Sequence, residues 1–315
     1  EKIIRAAVQW RDNGYGKPIL VGRTDRVQGL MKKMCVHDWQ NIEIMNAAVS
    51  EHVDEYIEYL YPRMQRQGFL YRDVARMVKN DRNIFAACML ALGHGDAMIT
   101  GVTRNYTVSV ENITRVIDVR KDEFLFGVTL VVAQGKTLFF ADTTVQELPT
   151  AEQLAHIAVK TAHAARRMGH EPRVALLSYS TFGNPMREKS ARIRDAVKVL
   201  DGMDVDFEYD GEMSAGVALN KEMMSLYPFC RLSGPANVLV MPALHTAHVS
   251  SALLQELSDG VTIGPVLMGL TRPAQIAQMS ASVSEIINLT AVAALHAVGE
   301  QHGKVSKLAK GKKKA

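Results

Sequence analysis

Short apolar runs bounded by Gly or Pro alternate with amphipathic helical patterns along almost the whole chain, and this alternation restricts the fold more than any other feature. Residues 18–22 (PILVG), 96–101 (DAMITG), 173–180 (RVALLSYS), 236–242 (ANVLVMP) and 261–269 each read as a buried strand. The clearest helix follows Pro149. Thr150 and Gln153 make a capping box, and Leu154, Ile157, Ala158, Thr161 and Ala165 mark one face. Gly169 then stops the helix and Pro172 precedes the next strand. Such alternation leads to an α/β fold of mostly parallel sheets flanked by helices. Residues 124–132 and 137–141, joined around Gly135, form an antiparallel hairpin inserted in that scheme. Ligands of such folds bind beyond the carboxyl ends of the strands, so chemistry is sought after Gly101, Ser180, Pro242 and Gly269.

Composition narrows the function classes. With 47% hydrophobic and 22% charged residues the chain is globular. No apolar run approaches the roughly 20 residues of a membrane helix. The net charge of +4 points to no nucleic-acid role. Lys304, Lys307, Lys310, Lys312, Lys313 and Lys314 supply six positive charges, and the remainder stands at −2. Residues 304–315 therefore read as a basic disordered tail. Cys35, Cys88 and Cys230 are far apart, lack metal-ligand spacing and suit a reducing cytoplasm. The chain opens at Glu1 without a methionine or signal-like stretch, as a piece of something longer would.

Several motifs carry little. Gly14-Tyr15-Gly16 and Gly93-His94-Gly95 lack the third glycine of a dinucleotide fingerprint, so no NADP site is visible. His245 and His248 are three apart but have no evident third ligand, so no metal is assigned. The methionines at 31, 34, 223 and 224 read as core filler. Residues 178–185 (SYSTFGNP) are more informative: a strand end enters a small polar loop, then a helical segment with Arg187, Lys189, Arg192 and Arg194. Backbone N–H groups and the positive end of a helix dipole make an anion site there. An ordinary strand-to-helix turn with a Ser/Thr cap fits the same residues.

Taken in order, 140–145 (FADTTV), 149–152 (PTAE), 171–178 (EPRVALLS), 210–213 (DGEM), 236–242 (ANVLVMP) and 264–269 (GPVLMG) resemble the phosphate acetyl/butyryl transferase family. The resemblance runs from residue 18 to Val292. Residues 96–98 (DAM), 210–213 and 287–292 (INLTAV) are similar to the phosphotransacetylase-like domain fused behind the catalytic part of hybrid NADP-dependent malic enzymes. It implies two α/β domains with a cleft between them, as in isocitrate/isopropylmalate dehydrogenases. One would comprise 1–139 and 266–315, the other 140–265.

The family's reaction moves an acetyl group between phosphate and the thiol of coenzyme A, and needs a base, an oxyanion donor and a phosphate cation. Where the resemblance implies a Ser-Arg pair followed by an aspartate, this chain has Gln278, Met279 and Glu285. Met279 carries no charge, and Gln278 donates a hydrogen bond from a differently shaped side chain. After Pro242, the residues Ala243, His245, Ala247 and His248 replace an Asp, Asn, Gly and Asn. The resemblance thus implies a catalytically degenerate cytoplasmic domain that binds acetyl-CoA as an effector. Ser178, Ser180, Thr181, Gly183 and Asn184 would hold pyrophosphate or carbonyl groups. Arg194 and Arg272 would meet phosphate charge, and Gln278 and Glu285 would lie around the thioester. No cofactor is expected in this segment. NADP and a divalent metal would belong to a malic-enzyme catalytic part in the same chain, converting malate to pyruvate. A homodimer or higher homo-oligomer is expected through the apolar helix around Ile286, Leu289 and Ala293. An active phosphate acetyltransferase and a purely structural oligomerisation module are the rival readings.

Overall fold

A computed structural model describes residues 1–311 apart from 37 and 40. The chain divides into two compact units, Glu1–Glu123 with Gly269–Ala315, and Phe124–Met268, so the second interrupts the first. The first unit opens with α1 (Lys2–Asp12), β1 (Ile19–Val21), α2 (Thr24–Lys33), β2 (Glu43–Met45) and α3 (Val53–Met64). It continues with α4 (Tyr71–Asn80), α5 (Arg82–Leu92), β3 (Met98–Gly101) and α6 (Tyr106–Thr114). The second unit contains β4 (Phe126–Ala133), β5 (Lys136–Ala141), α7 (Ala151–Arg167), β6 (Arg173–Leu177), α8 (Glu188–Asp201) and β7 (Glu208–Met213). After these come α9 (Ala215–Leu219), α10 (Lys221–Ser225), β8 (Val238–Val240), α11 (Leu244–Leu257) and β9 (Val261–Met268). The chain returns to the first unit with β10 (Ala274–Ala277) and α12 (Val283–Gly311). The fold is mixed α/β, with parallel strands flanked by helices.

The second unit is built on one six-stranded sheet of order β7-β6-β8-β5-β4-β9. The β7, β6, β8 and β5 strands run parallel, while β4 pairs antiparallel with both β5 and β9. The hairpin read from the sequence is present, but it does not straddle a boundary. A division at 139/140 would cut β5, whose Phe139, Phe140 and Ala141 pair with Val238, Leu239 and Val240 of β8. A return at 266 would likewise cut β9. The sheet's ladders thus fix the boundaries at 124 and 269. The α7 helix follows its sequence pattern: the Gln153 amide donates to Thr150 Oγ1 at 3.2 Å, and the Thr150 amide to Gln153 Oε1 at 2.8 Å. Leu154, Ile157, Ala158, Thr161 and Ala165 are all fully buried.

The first unit has two small parallel pairs, β1 with β2 and β3 with β10. Its core joins α3, α4 and α5 through Tyr56, Leu60, Met64, Val74, Val78, Phe85 and Cys88. Burial pushes the Cys88 thiol up to about 12, which keeps it inert. Gly101 ends β3 with φ +107°, and a Cβ there would fall 2.0 Å from the Ala277 carbonyl oxygen. Only glycine admits so close an approach. On α12, Ile286, Leu289 and Ala293 are buried within the chain, because the helix packs on α1, β3 and β10. The face expected to pair two copies is therefore already covered. The backbone of α12 continues to Gly311, so the expected tail is helical from 304 to 311, as its Lys, Leu and Ala content favours; residues 312–315 lie outside the described ones. No described helix is long and apolar enough to cross a membrane.

Candidate functional site

At the carboxyl end of β6 the chain enters the 178–184 loop, and the neighbouring strand β7 supplies its anchor. Glu212, in β7, is fully buried. Its Oε1 accepts hydrogen bonds from Ser180 Oγ (2.8 Å), the Gly183 amide (3.0 Å) and Arg194 Nη1 (2.9 Å). Oε2 is equally buried and has no hydrogen-bond partner among the described residues. Arg194 reaches down from α8 and also donates to Ser190 Oγ at 2.9 Å. Phe182 and Gly183 take left-handed conformations (φ +48° and +86°), which turns the loop tightly enough to bring both amides toward Glu212. A second link comes from Thr181, whose Oγ1 accepts from the Ser214 amide at 3.1 Å.

This arrangement changes what the loop can offer a ligand. All five amides from 180 to 184 donate within the protein: Ser180 to Ser178 Oγ, Thr181 to the Asn184 carbonyl, Phe182 to the Glu212 carbonyl, Gly183 to Glu212 Oε1, and Asn184 to the Thr181 carbonyl. An amide cradle for a phosphate is thus not what the loop presents. Exposed Tyr179, Asn184 and Arg187 are the side chains turned outward, while the Oγ of half-buried Ser178 lies 3.2 Å from Ser180 Oγ. Ser180, Thr181, Gly183 and Arg194 hold the loop's shape.

The first unit presents its own strand ends. β3 and β10 run parallel and finish together at Gly101 and Ala277, followed by Val102–Thr103–Arg104 and Gln278–Met279. Gln278 is half-buried, and the Met279 side chain is 62% exposed. Arg104 pairs with Asp81, which also caps α5 through the Asn83 and Ile84 amides. Glu285 pairs with Ser282. Its Oε2 accepts from the Ser282 amide at 2.7 Å, and its own amide donates to Ser282 Oγ at 3.2 Å. The pair forms a capping box at the start of α12. Arg272 lies at the opposite end of β10 from Gln278, with Nη2 3.5 Å from the Ala91 carbonyl. The four residues of that strand put about 10 Å of backbone between the two ends.

A model of the phosphate acetyl/butaryl transferase family matches residues 1–294. The chain belongs to that family. Among its relatives, an NADP-dependent malic enzyme of Rhizobium meliloti is 48% identical over 94% of this chain, which covers 39% of that protein. The chain therefore spans about two fifths of the length of the malic enzymes it matches. A phosphate acetyltransferase of Staphylococcus aureus is 28% identical over 95% of this chain and 92% of its own length. Among solved structures, a phosphotransacetylase from Streptococcus pyogenes superposes with a TM-score of 0.86 at 27% identity, covering 95% of this chain and 91% of the other. Beyond β8, Ala243, His245, Ala247 and His248 form not a loop but the N-cap and first turns of α11, with both histidines exposed.

Two acids were missed by the sequence reading. Glu212 lies in an acidic strand, EYDGEM, that lacks the apolar run by which strands are recognised. Asp142 follows β5 and is also buried. Its Oδ1 accepts from the amides of Gly127 (2.7 Å), Thr144 (2.8 Å) and Val145 (3.3 Å), and its Oδ2 from Gln146 (2.7 Å). Burial raises its pKa above the ordinary carboxylate value, against the opposing pull of those four donors. A lone acid at the end of an apolar strand, just before Thr-Thr, was the available signal.

Proposed function

We propose that this chain is the acetyl-CoA-sensing, catalytically degenerate phosphotransacetylase-like part of an NADP-dependent malic enzyme. The catalytic unit, with its NADP and divalent metal, would occupy the remainder of a longer chain. The length of the malic-enzyme relatives supports this organisation. The observation that supports the loss of catalysis is the end of β10, where half-buried Gln278 and exposed Met279 bring no charge to the positions at which the resemblance implies a Ser-Arg pair. Losing one preorganised oxyanion donor typically lowers a rate by about 10²–10³, and here the phosphate cation is gone as well.

The acyl-CoA contact is assigned to the outer side of the 178–184 loop, where Ser178 and Asn184 offer hydrogen-bonding groups on a braced frame. Ser180, Thr181, Gly183 and Arg194 act by positioning. A cytoplasmic location and a two-fold homodimer complete the reading, the latter through a surface other than the covered face of α12. Closed two-fold pairs are the commonest assemblies of soluble chains. The sequence coverage of the phosphate acetyltransferase relative supports one rival, a working transferase. Calorimetric titration with acetyl-CoA, run beside an assay of acetyl-phosphate formation, separates the readings. Binding without turnover is expected. Turnover within tenfold of an authentic phosphotransacetylase would establish the rival, and neither binding nor turnover would leave a structural module.

A further inference from the structure

The first unit contains a cluster to which the proposed function gives no role. His52, Glu55 and His94 each bring one metal-ligating atom within 4.8 Å of the other two. His52 is the N-cap residue of α3 and Glu55 lies in its first turn, so one helical turn brings them together. His52 Nδ1 stands 3.2 Å from Glu55 Oε2. His94 comes from elsewhere in the chain. Gly93 ends α5 in a left-handed conformation (φ +85°), and the turn places His94 Nε2 3.8 Å from Glu55 Oε1. The two imidazole rings lie 4.4 Å apart, centroid to centroid.

We propose that His52, Glu55 and His94 bind a divalent transition cation of the zinc class, through two imidazole nitrogens and a carboxylate, with a fourth position open to water. A tetrahedral zinc ion with bonds of about 2.0–2.1 Å separates its ligand atoms by about 3.3 Å. The separations of 3.2 Å (His52 to Oε2) and 3.8 Å (His94 to Oε1) straddle that figure, one oxygen of the Glu55 carboxylate facing each imidazole. The far side of His94 supplies an independent observation. Its Nδ1 lies 2.8 Å from the hydroxyl of Tyr56, which is fully buried and held edge-on by Phe85 at 5.0 Å. With Nε2 on the metal, Nδ1–H donates to that oxygen, the outer partner that a ligating histidine ordinarily has. For His52, the remaining ring nitrogen faces Glu51 Oε1 at 3.9 Å, a gap that rotation of this exposed carboxylate closes. A set of two nitrogens and one oxygen favours zinc, cobalt, nickel or copper over magnesium or calcium. The ion joins the start of α3 to the turn between α5 and β3, so occupancy stabilises the first unit.

Without an ion the same groups would form a hydrogen-bonded His–carboxylate–His cluster, and the test separates the two. The full 315-residue chain, stripped with a chelator, is titrated with Zn²⁺ against a chromophoric competitor and with Co²⁺ by visible absorption. One ion per chain is expected, with a rise in Tm. His52→Ala and His94→Ala should each weaken binding more than about a hundredfold, and Tyr56→Phe by about 10–100-fold. His245→Ala with His248→Ala should leave it unchanged. Glu55→Gln alters a half-exposed side chain and serves if the His94 variant fails to fold. The proposal is overturned if the parent binds Zn²⁺ no more tightly than millimolar. It also fails if Mg²⁺ binds more tightly than Zn²⁺, or if His52→Ala and Glu55→Gln both retain parental affinity.

Discussion

In the second unit, the end of β6 runs into a loop whose amides from 180 to 184 are all partnered, and the buried Glu212 of β7 is gripped by Ser180, Gly183 and Arg194. In the first unit, the ends of β3 and β10 run into the uncharged Gln278–Met279 pair, with Met279 largely in solvent. The comparison separates two kinds of tolerance. A buried charge constrains every neighbour that satisfies it, whereas an exposed apolar side chain at a strand end constrains almost nothing. Sequence change at the first unit's edge should therefore alter binding with little effect on stability, and change at the second unit's edge should do the reverse.

The strongest test is Arg194→Met, which keeps bulk and removes the charge opposite Glu212. Breaking a buried pair from one side typically costs about 3–5 kcal/mol. Urea denaturation should show a loss of that order, and a loss below about 1 kcal/mol would mean that Glu212 does not depend on its partner. Next is Asp142→Asn, which replaces an acceptor oxygen by a donor facing backbone N–H groups and should destabilise by about 1–3 kcal/mol in the same assay.

At the first unit's edge, Gln278→Ser with Met279→Arg should leave stability within about 0.5 kcal/mol. A guanidinium there can grip two phosphate oxygens at once. Inorganic phosphate should bind about ten- to a hundredfold more tightly by calorimetry, from a contact worth roughly 1.5–3 kcal/mol. Unchanged phosphate affinity would place these residues away from the phosphate. Turnover should not return, because Ala243, His245, Ala247 and His248 would still differ from the residues the resemblance implies there, and cooperating groups do not add.

The smallest effect is on pH dependence. Because the folded state holds the Asp142 proton more tightly than the unfolded chain, this group's contribution to stability is fullest below 3.8, its ordinary value. It declines as pH rises through the raised folded value. Subtracting the Asp142→Asn profile from the parental one isolates that slope. A slope of opposite sign would mean that the four backbone donors outweigh burial.

Periodicity made α7 legible down to its capping box, because its burial is one-sided and its caps are local. The same logic recovered β1, β3, β6, β8, β9 and the hairpin, but not the short strands β2 and β10. It failed at β7, whose acidic sequence is tolerated only because Glu212 finds partners from the 178–184 loop and α8, contacts that no local pattern encodes. It also set the unit boundary at 140, inside β5, because pairing with β8 depends on residues almost 100 positions later. At the candidate site, the loop was found but its polarity was read outward, when its amides are spent inward. Ser282-Val-Ser-Glu285 also spells a capping box in the sequence itself, a local role for Glu285 that the resemblance does not indicate.

The insertion of one unit inside the other has a consequence for synthesis. β3 leaves the ribosome long before its partner β10, with Ala277 following Gly101 by 176 positions. At translation speeds of about 5–20 residues per second, that strand waits on the order of ten seconds or more for its neighbour. During this time the entire second unit emerges and can close its six-stranded sheet. A growing chain thus carries a finished unit while the earlier one still has an unpaired edge, the kind of surface on which nascent chains associate wrongly.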